Sequence, residues 1–316
     1  MAADGNTIGW IGAGRMGVEL AARLLRSGYD VSVWNRTREK AQPLEELGAI
    51  VVESPADLAD RDVVVTMVSS SDVFEHVTIG EGGLLTREGV APKVLVDSST
   101  ISEEASERVR TAAINVGTEV LAAPVSGNPK VVSSGRLTVV VSGPKRAYEF
   151  VEPVLNAFGK SVTYVGEGDA ARLVKICHNL LLGIVAQSLA EITVLAERGG
   201  VARSDFLEFI NASVMGSVFS RYKTPAIVNL NYSPTFTGHL LRKDFELGLA
   251  AARELDVPLP TAALVHQLVA MMIGQGLGDE DFIALLEMQA RGAGHELVAE
   301  DIDVSDGLEP VDELGG

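Results

Sequence analysis

Residues Ala170–Arg198 read AARLVKICHNLLLGIVAQSLAEITVLAER. No proline interrupts the stretch, and Leu173, Ile176, Leu180, Ile184, Leu189, Ile192 and Leu195 recur at helical spacing. Gly168 stands just before it, and Gly199-Gly200 close it. A helix of this length spans roughly 40 Å, more than one small domain needs. The chain on its N-terminal side alternates strand-like and helix-like segments, and the chain after it reads as helices only. The stretch is therefore expected to be a spine joining two domains. Its first turns carry Lys175 and Asn179, an i,i+4 pair on one face.

The N-terminal side gives the chemistry. Residues 7–11 form a short apolar strand, and Gly12-Ala13-Gly14-Arg15-Met16-Gly17 follow at once. Residues 18–27 read as a helix and 29–34 as a second strand. This is G-x-G-x-x-G between a strand and a helix, the context that makes it a dinucleotide-binding signal. Gly12 allows the tight turn, Gly14 lets a pyrophosphate approach the backbone, and Gly17 lets the helix pack on the strand. The pyrophosphate is expected on the free N–H groups of the helix N-terminus. A site for NAD usually ends the second strand with Asp or Glu. Here Asn35, Arg36 and Thr37 stand there, with Arg38 and Lys40 close by. A guanidinium and a hydroxyl suit a ribose 2′-phosphate, which a carboxylate would repel. The expected cofactor is NADP, with NADPH preferred over NADH.

The alternation continues through strands near 49–52, 62–68, 94–96, 120–123, 137–142 and 162–165, the last two expected to complete one sheet. Ser54-Pro55 opens a helix, with proline at its first position. The β-branched run at 62–68 suits a strand buried on both faces. It ends at Ser69, at the carboxyl edge where such sheets bind ligands. The next strand ends in Asp97-Ser98-Ser99-Thr100, and Thr100 is assigned to the nicotinamide side of the cofactor. Pro124-Val125-Ser126-Gly127-Asn128-Pro129 is a loop in which Ser126 and the N–H groups around Gly127 could bind a carboxylate. After Gly199, helices are expected at 204–212, 237–255, 259–274 and 282–291, with residues 211–219 as a loop. His178 points off the Lys175–Asn179 face and reads as structural. No CxxC or HExxH pattern occurs, so no metal is expected.

The expected fold is α/β: a doubly wound parallel sheet of Rossmann type over residues 1–167, the linking helix at 168–199, an all-α substrate and oligomerisation domain at 200–295, and a flexible acidic tail at 296–316. The tail holds eight acidic and no basic residues out of a net charge of −17. That charge argues against nucleic acid and anionic membranes as partners. Asn179, Gln187, Ser188 and Glu191 break the most apolar stretch and argue against a membrane span. The N-terminus lacks a basic region followed by a signal-type apolar run, and the single cysteine, Cys177, fits a reducing compartment, so a cytoplasmic location is expected. So long an apolar helix needs more cover than one small domain gives, which implies a homodimer or homotetramer. The active site is expected in the interdomain cleft.

Four blocks in order, IGWIGAGRMG, VDSSTIS, APVSG with GRLTVVVSG, and VKICHN with RKDFELGLA, resemble the β-hydroxyacid dehydrogenase family as far as about Arg291. That family includes 3-hydroxyisobutyrate dehydrogenase, tartronate semialdehyde reductase and the glyoxylate/succinic semialdehyde reductases. The resemblance implies hydride transfer between a nicotinamide cofactor and a small β-hydroxyacid or its semialdehyde. It makes Lys175 the general acid/base and places Asn179 beside the substrate. Ser126 and Gly127 would hold the substrate's carboxylate or hydroxyl end, and Thr100 would contact the cofactor. Lys243 and Asp244 would close over the cofactor from the helical domain. The family usually continues Ser-Gly-Gly where this chain has Ser126-Gly127-Asn128. Asn128 is expected to add a side chain where the substrate lies, and Pro129 to remove an N–H donor. Three alternatives stand beside this: an imine reductase, against which Lys175 counts; a 6-phosphogluconate dehydrogenase, whose Lys-x-x-His-Asn pattern is echoed at 175–179; and a non-catalytic dinucleotide sensor.

Overall fold

The computed structural model describes residues 6–308, and the last eight residues of the acidic tail lie outside them. The chain divides into two compact units, Met1–Lys175 and Ile176–Gly316. The division runs through the long helix, whose first turn and a half belongs to the first unit.

The first unit is built on six parallel strands, β1 (Thr7–Ile11), β2 (Asp30–Trp34), β3 (Ile50–Val51), β4 (Val63–Thr66), β5 (Val94–Asp97) and β6 (Glu119–Ala122). Their order is β3-β2-β1-β4-β5-β6. The order reverses between β1 and β4, which pair through Ile8 with Val63 and Ile11 with Thr66. The strand sequences explain the double winding. Successive side chains point to opposite faces, and both faces are apolar. Ile8, Trp10, Val63, Val65, Val94 and Val96 enter one core; Ile11, Val64, Leu95 and Val120 enter the other. Helices α1 (Arg15–Arg26), α2 (Gln42–Glu45), α3 (Ser71–Ile79) and α4 (Glu103–Asn115) make the crossovers. The segment opened by Ser54-Pro55 is a 3₁₀ turn, closed by a reciprocal cap between Ser54 and Asp57.

The last strands do not complete this sheet. Strands β7 (Val125–Ser126), β8 (Thr138–Val141) and β9 (Ser161–Tyr164) form a separate three-stranded sheet. Its β7–β8 pairing is antiparallel. An isolated bridge between Ala122 and Ser142 joins the two sheets. The Ala123 N–H still reaches the Asp97 carbonyl, but Pro124, two residues after β6, has no N–H with which to extend the ladder. Helix α5 (Pro129–Ser133) lies between β7 and β8, and α6 (Lys145–Asn156) between β8 and β9.

Helix α7 (Ala170–Arg198) is unbroken over 29 residues. It has the length and composition to cross a membrane, but half of its most apolar window is buried within the protein. Leu180, Ala186, Leu189, Ala190 and Val194 enter the core of the second unit. Its polar residues find partners there too: Gln187 donates to Glu191 and reaches Gln289.

The rest of the second unit comprises α8 (Arg203–Ala212), α9 (Val218–Asn229), α10 (Gly238–Glu254), α11 (Pro260–Met272) and α12 (Leu285–Gly292). Helix α9 starts inside the segment read from sequence as a loop and carries Pro225. Its buried side includes Lys223 and Thr224, so it has no apolar stripe for the sequence to reveal. Lys223 donates to Asp281 at 2.6 Å and to Thr235 at 2.9 Å, and burial pushes its pKa down.

Residues 296–308, expected to begin a flexible tail, instead run as a strap along this unit. The Glu300 carboxylate accepts the Arg203 N–H at 2.7 Å and the Ser204 N–H at 3.3 Å, capping α8. The Asn229 side chain pairs with the backbone of Ile302 in both directions. The buried Arg203 guanidinium donates to the carbonyls of Val228 and Val298.

Candidate functional site

The Gly-rich loop shows the division of labour that its spacing implies. Gly12 has φ +107°, and a Cβ there would lie 2.3 Å from the Met67 carbonyl oxygen. A Cβ on Gly17 would lie 2.0 Å from the Gly12 carbonyl oxygen. Gly14 differs: a Cβ there would meet nothing within 4 Å. Gly14 is also the N-cap of α1, with no side-chain cap and no acidic residue in the first turn. Arg15 is exposed and Met16 half-buried beside it. The loop is therefore closed against the sheet at Gly12 and Gly17 and open at Gly14. A helix N-terminus with uncapped N–H groups faces that opening, which fits a pyrophosphate.

Asn35 has a role beyond the missing carboxylate. Its Oδ1 accepts the Ala13 N–H at 2.8 Å, and its Nδ2 donates to the Thr37 carbonyl at 2.7 Å. It thereby ties the end of β2 to the tip of the Gly-rich loop. Arg38 pairs with Glu53 at 3.0 Å. Arg36 and Thr37 are exposed, and Arg36 makes no hydrogen bond or ion pair with the described residues.

The ends of β4 and β5 are knitted together. The Ser99 hydroxyl accepts the Val68 N–H at 2.9 Å, and the Ser71 hydroxyl accepts the Ser102 N–H at 3.0 Å. Ser70 caps α3, while Ser69 is exposed and Thr100 half-buried. Thus the Gly-rich loop, Asn35, Arg36, Ser69 and Thr100 lie together at the carboxyl edge of β1, β2, β4 and β5. Ser126 and Gly127 follow β6, the next strand in order.

Asn128 departs from expectation. It is 6% exposed, and its Oδ1 accepts the Val131 N–H at 3.0 Å as the N-cap of α5. Pro129 takes the first helical turn, where a missing N–H costs nothing. The side chain is turned into its own helix rather than standing free in a substrate loop. Its Asn-Pro pair is a helix start, which accounts for the departure from the family pattern.

In the second unit the structure brings Asn179, Lys243 and Asp244 together. A Cβ on Gly183 would lie 2.5 Å from the Phe245 ring, and one on Gly248 would lie 2.7 Å from Leu180. These two glycines let α7 and α10 approach closely. Asn179 then donates to Asp244 Oδ2 at 2.5 Å, and Lys243 lies 3.5 Å from Asp244. Both Asn179 and Asp244 are buried. The Asp244 carboxylate thus has one oxygen on Asn179 and the other facing the Lys243 ammonium. The exposed His178 ring nitrogen lies 2.9 Å from Asn179 Oδ1. Lys175 is half-buried, one turn before Asn179 on α7.

Two residues that the sequence reading passed over sit at the same sheet edge. Asp97, fully buried at the end of β5, is paired with Arg172 at 2.7 Å. The only sequence signal was a carboxylate ending an apolar strand and an arginine three residues before Lys175. Among the described residues no group of three or more His, Cys, Asp or Glu could hold a metal ion.

Residues 7–166 match the family model described as the NAD binding domain of 6-phosphogluconate dehydrogenase. Residues 168–289 match that described as NAD-binding of NADP-dependent 3-hydroxyisobutyrate dehydrogenase. The chain is similar to glyoxylate/succinic semialdehyde reductase 1 of Arabidopsis thaliana, 32% identical over 89% of this chain and 97% of that protein. It is similar to 2-(hydroxymethyl)glutarate dehydrogenase of Eubacterium barkeri, 32% identical over 91% of this chain and 96% of that protein. Among solved structures, 3-hydroxyisobutyrate dehydrogenase from Salmonella typhimurium superposes with a TM-score of 0.80 at 26% identity, covering 90% of this chain and 99% of that one. With the Rossmann strand order, the open glycine loop and these matches along both units, the chain belongs to the β-hydroxyacid dehydrogenase family of nicotinamide-dependent oxidoreductases.

Proposed function

We propose that the protein interconverts a small carboxylate-bearing semialdehyde and its β-hydroxyacid, using NADPH in preference to NADH. The observation that carries the reading is the placement of Lys175 on α7, one turn before Asn179 and three residues after Arg172, which is bonded to the end of β5. The nicotinamide, when bound, supplies or accepts the hydride. The Lys175 ammonium stabilises the negative charge that develops on the carbonyl oxygen and gives it a proton. In the oxidative direction the neutral amine takes the proton back. Asn179, oriented by Asp244, holds the substrate, and Lys243 serves the cofactor. The Ser126 hydroxyl and the Gly127 N–H bind the substrate carboxylate, and Thr100 contacts the nicotinamide side.

Purified protein is assayed for NADPH consumption against parallel panels of small acid semialdehydes and cyclic imines, with NADH as control. Turnover of semialdehydes is the expected result. Turnover of imines alone would replace this reading with an imine reductase, and silence on both panels with cofactor bound would favour a sensor.

The preference for NADPH rests on Arg36 and Thr37, exposed at the end of β2, where Asn35 stands in place of a carboxylate. Arg36→Ala is expected to raise the KM for NADPH about ten- to a hundredfold, the worth of a charge-assisted hydrogen bond, and to leave NADH unchanged. Equal effects on both cofactors would refute the assignment.

A homodimer or homotetramer is part of the same reading. Val174, His178, Leu181, Val185, Ser188, Ile192 and Leu195 follow a strict 4-3 spacing along α7, and all are exposed. That is the spacing of a helix–helix seam, and Leu181 and Leu195 are 59% and 72% exposed. A second copy of the chain is the occupant proposed for this face. Light scattering should give two or four times the 33.4 kDa chain mass, and Leu181→Glu should shift it toward the single chain. A parent protein that already runs as a single chain would refute the proposal. The free thiol of Cys177 supports a cytoplasmic location.

A further inference from the structure

A buried ion network joins the start of α7 to the end of β5. Arg172 is 6% exposed and Asp97 is fully buried. Arg172 Nη1 donates to Asp97 Oδ2 at 2.7 Å and reaches the Ser99 carbonyl at 3.4 Å. Its Nε donates to the Ser106 hydroxyl on α4 at 3.1 Å and lies 3.5 Å from Asp169. Asp169 in turn pairs with Arg110. The other Asp97 oxygen accepts the Thr66 hydroxyl at 2.7 Å and the Ser99 N–H at 3.2 Å. One carboxylate thus gathers the end of β4, the turn that leads to Thr100, and the first turn of α7.

Stability alone is a poor reason for this arrangement. Removing two charges from water costs several kcal/mol per ion, and apolar replacements of buried pairs are often neutral or stabilising. The guanidinium is not even fully satisfied, since its Nη2 is buried without a hydrogen-bond partner. What the pair does supply is geometry. A planar fork bonded at both Nη1 and Nε fixes the roll and the axial position of the helix that carries it, which a lysine's single ammonium does not. Lys175 stands three residues further on, about 4.5 Å along the axis. The fork therefore fixes the helix turn that carries Lys175 relative to the Ser99–Thr100 turn.

We propose that Arg172 is a positioning residue for hydride transfer, holding the Lys175 turn of α7 to the Asp97 carboxylate at the end of β5. The proposal rests on the reading of Lys175 as the acid/base. A misplacement of the order of 1 Å at a reacting group costs about a hundredfold in rate, and that is the loss expected in kcat for Arg172→Met. The KM for NADPH should stay within about twofold, because the dinucleotide loop and Arg36 are untouched. Arg172→Lys should recover part of the loss.

The decisive measurement is kcat in a double-mutant cycle with Lys175→Ala, on the best substrate of the panel and below the melting temperature of every variant. If Arg172 acts through Lys175, Arg172→Met adds nothing to Lys175→Ala. Multiplying effects in the double variant, or parent-like kcat in Arg172→Met beside an impaired Lys175→Ala, would overturn the positioning role and leave the acid/base reading intact. Full turnover in Lys175→Ala would remove the acid/base reading and this proposal together. Should Arg172→Met fail to fold, Arg172→Lys carries the same cycle.

Discussion

Lys175→Ala is expected to lose about 10²- to 10⁴-fold in kcat, the usual worth of a positioned general acid/base, while binding NADPH as tightly as the parent. Alanine is the best helix former, so α7 should persist and the change should remain local. The ammonium's two tasks can be separated. Lys175→Arg keeps the positive charge but cannot deprotonate near neutral pH. It should therefore keep only the part of the rate that charge stabilisation supplies, and lose the proton-transfer part in both directions alike, since it can neither give the proton in reduction nor take it in oxidation. Turnover in both directions, with cofactor affinity measured by titration of NADPH fluorescence, checks the pattern. Parent-like turnover in Lys175→Ala would sink the mechanism.

Gly12→Ala is expected to abolish NADPH binding and to lower the melting temperature. The backbone at φ +107° is strained for any L side chain, and the new methyl would lie 2.3 Å from the Met67 carbonyl oxygen. The loop cannot shift by itself. Its neighbour Ala13 is bonded to Asn35, and Gly17 closes on the Gly12 carbonyl. Strain of this kind costs of order 1–3 kcal/mol, a few degrees in a chain of this size. Gly14→Ala is the companion experiment. Its backbone at φ −75° accepts alanine, and its methyl would meet nothing within 4 Å. That variant should melt with the parent and yet bind NADPH weakly, because the methyl fills the space kept for the pyrophosphate. Parent-like NADPH affinity in both variants would refute the assignment of the loop.

The legible parts of the molecule were those in which local pattern and tertiary role coincide. Residues 7–17 announce their strand, turn and helix because Gly12 and Gly17 stand where the backbone admits no side chain and Gly14 leaves the helix N-terminus open. The run at Val63–Thr66 announces a central strand because both of its faces are buried. The site residues at the sheet edge follow from strand ends. The separate sheet formed by β7–β9 was not legible, because pairing depends on which edge a strand reaches and its composition is the same in either sheet. Helix α9 was hidden by Pro225 and by a buried side made of Lys223 and Thr224 instead of an apolar stripe. The Asn128 cap was missed because Asn-Pro serves loops and helix starts alike. Asp97 and Arg172 lie 75 residues apart in sequence, and no periodicity signals a long-range ion pair.

The strap at 296–308 has a consequence for biosynthesis. The first compact unit ends at Lys175, and the partners of Asp97 all lie within it. Domains tend to form in the order of their synthesis, so this unit can mature on the ribosome while the helical unit is still being made. The helical unit has to wait. Helix α8 begins at Arg203, but its cap is Glu300, and the carbonyl of Val298 that helps satisfy the Arg203 guanidinium is made scarcely earlier. Until those residues emerge, α8 has uncapped N–H groups and the Arg203 guanidinium has only Glu197 and the Val228 carbonyl as partners. Nascent chains stalled before Glu300 should therefore yield a protease-resistant first unit beside a second that is readily cleaved.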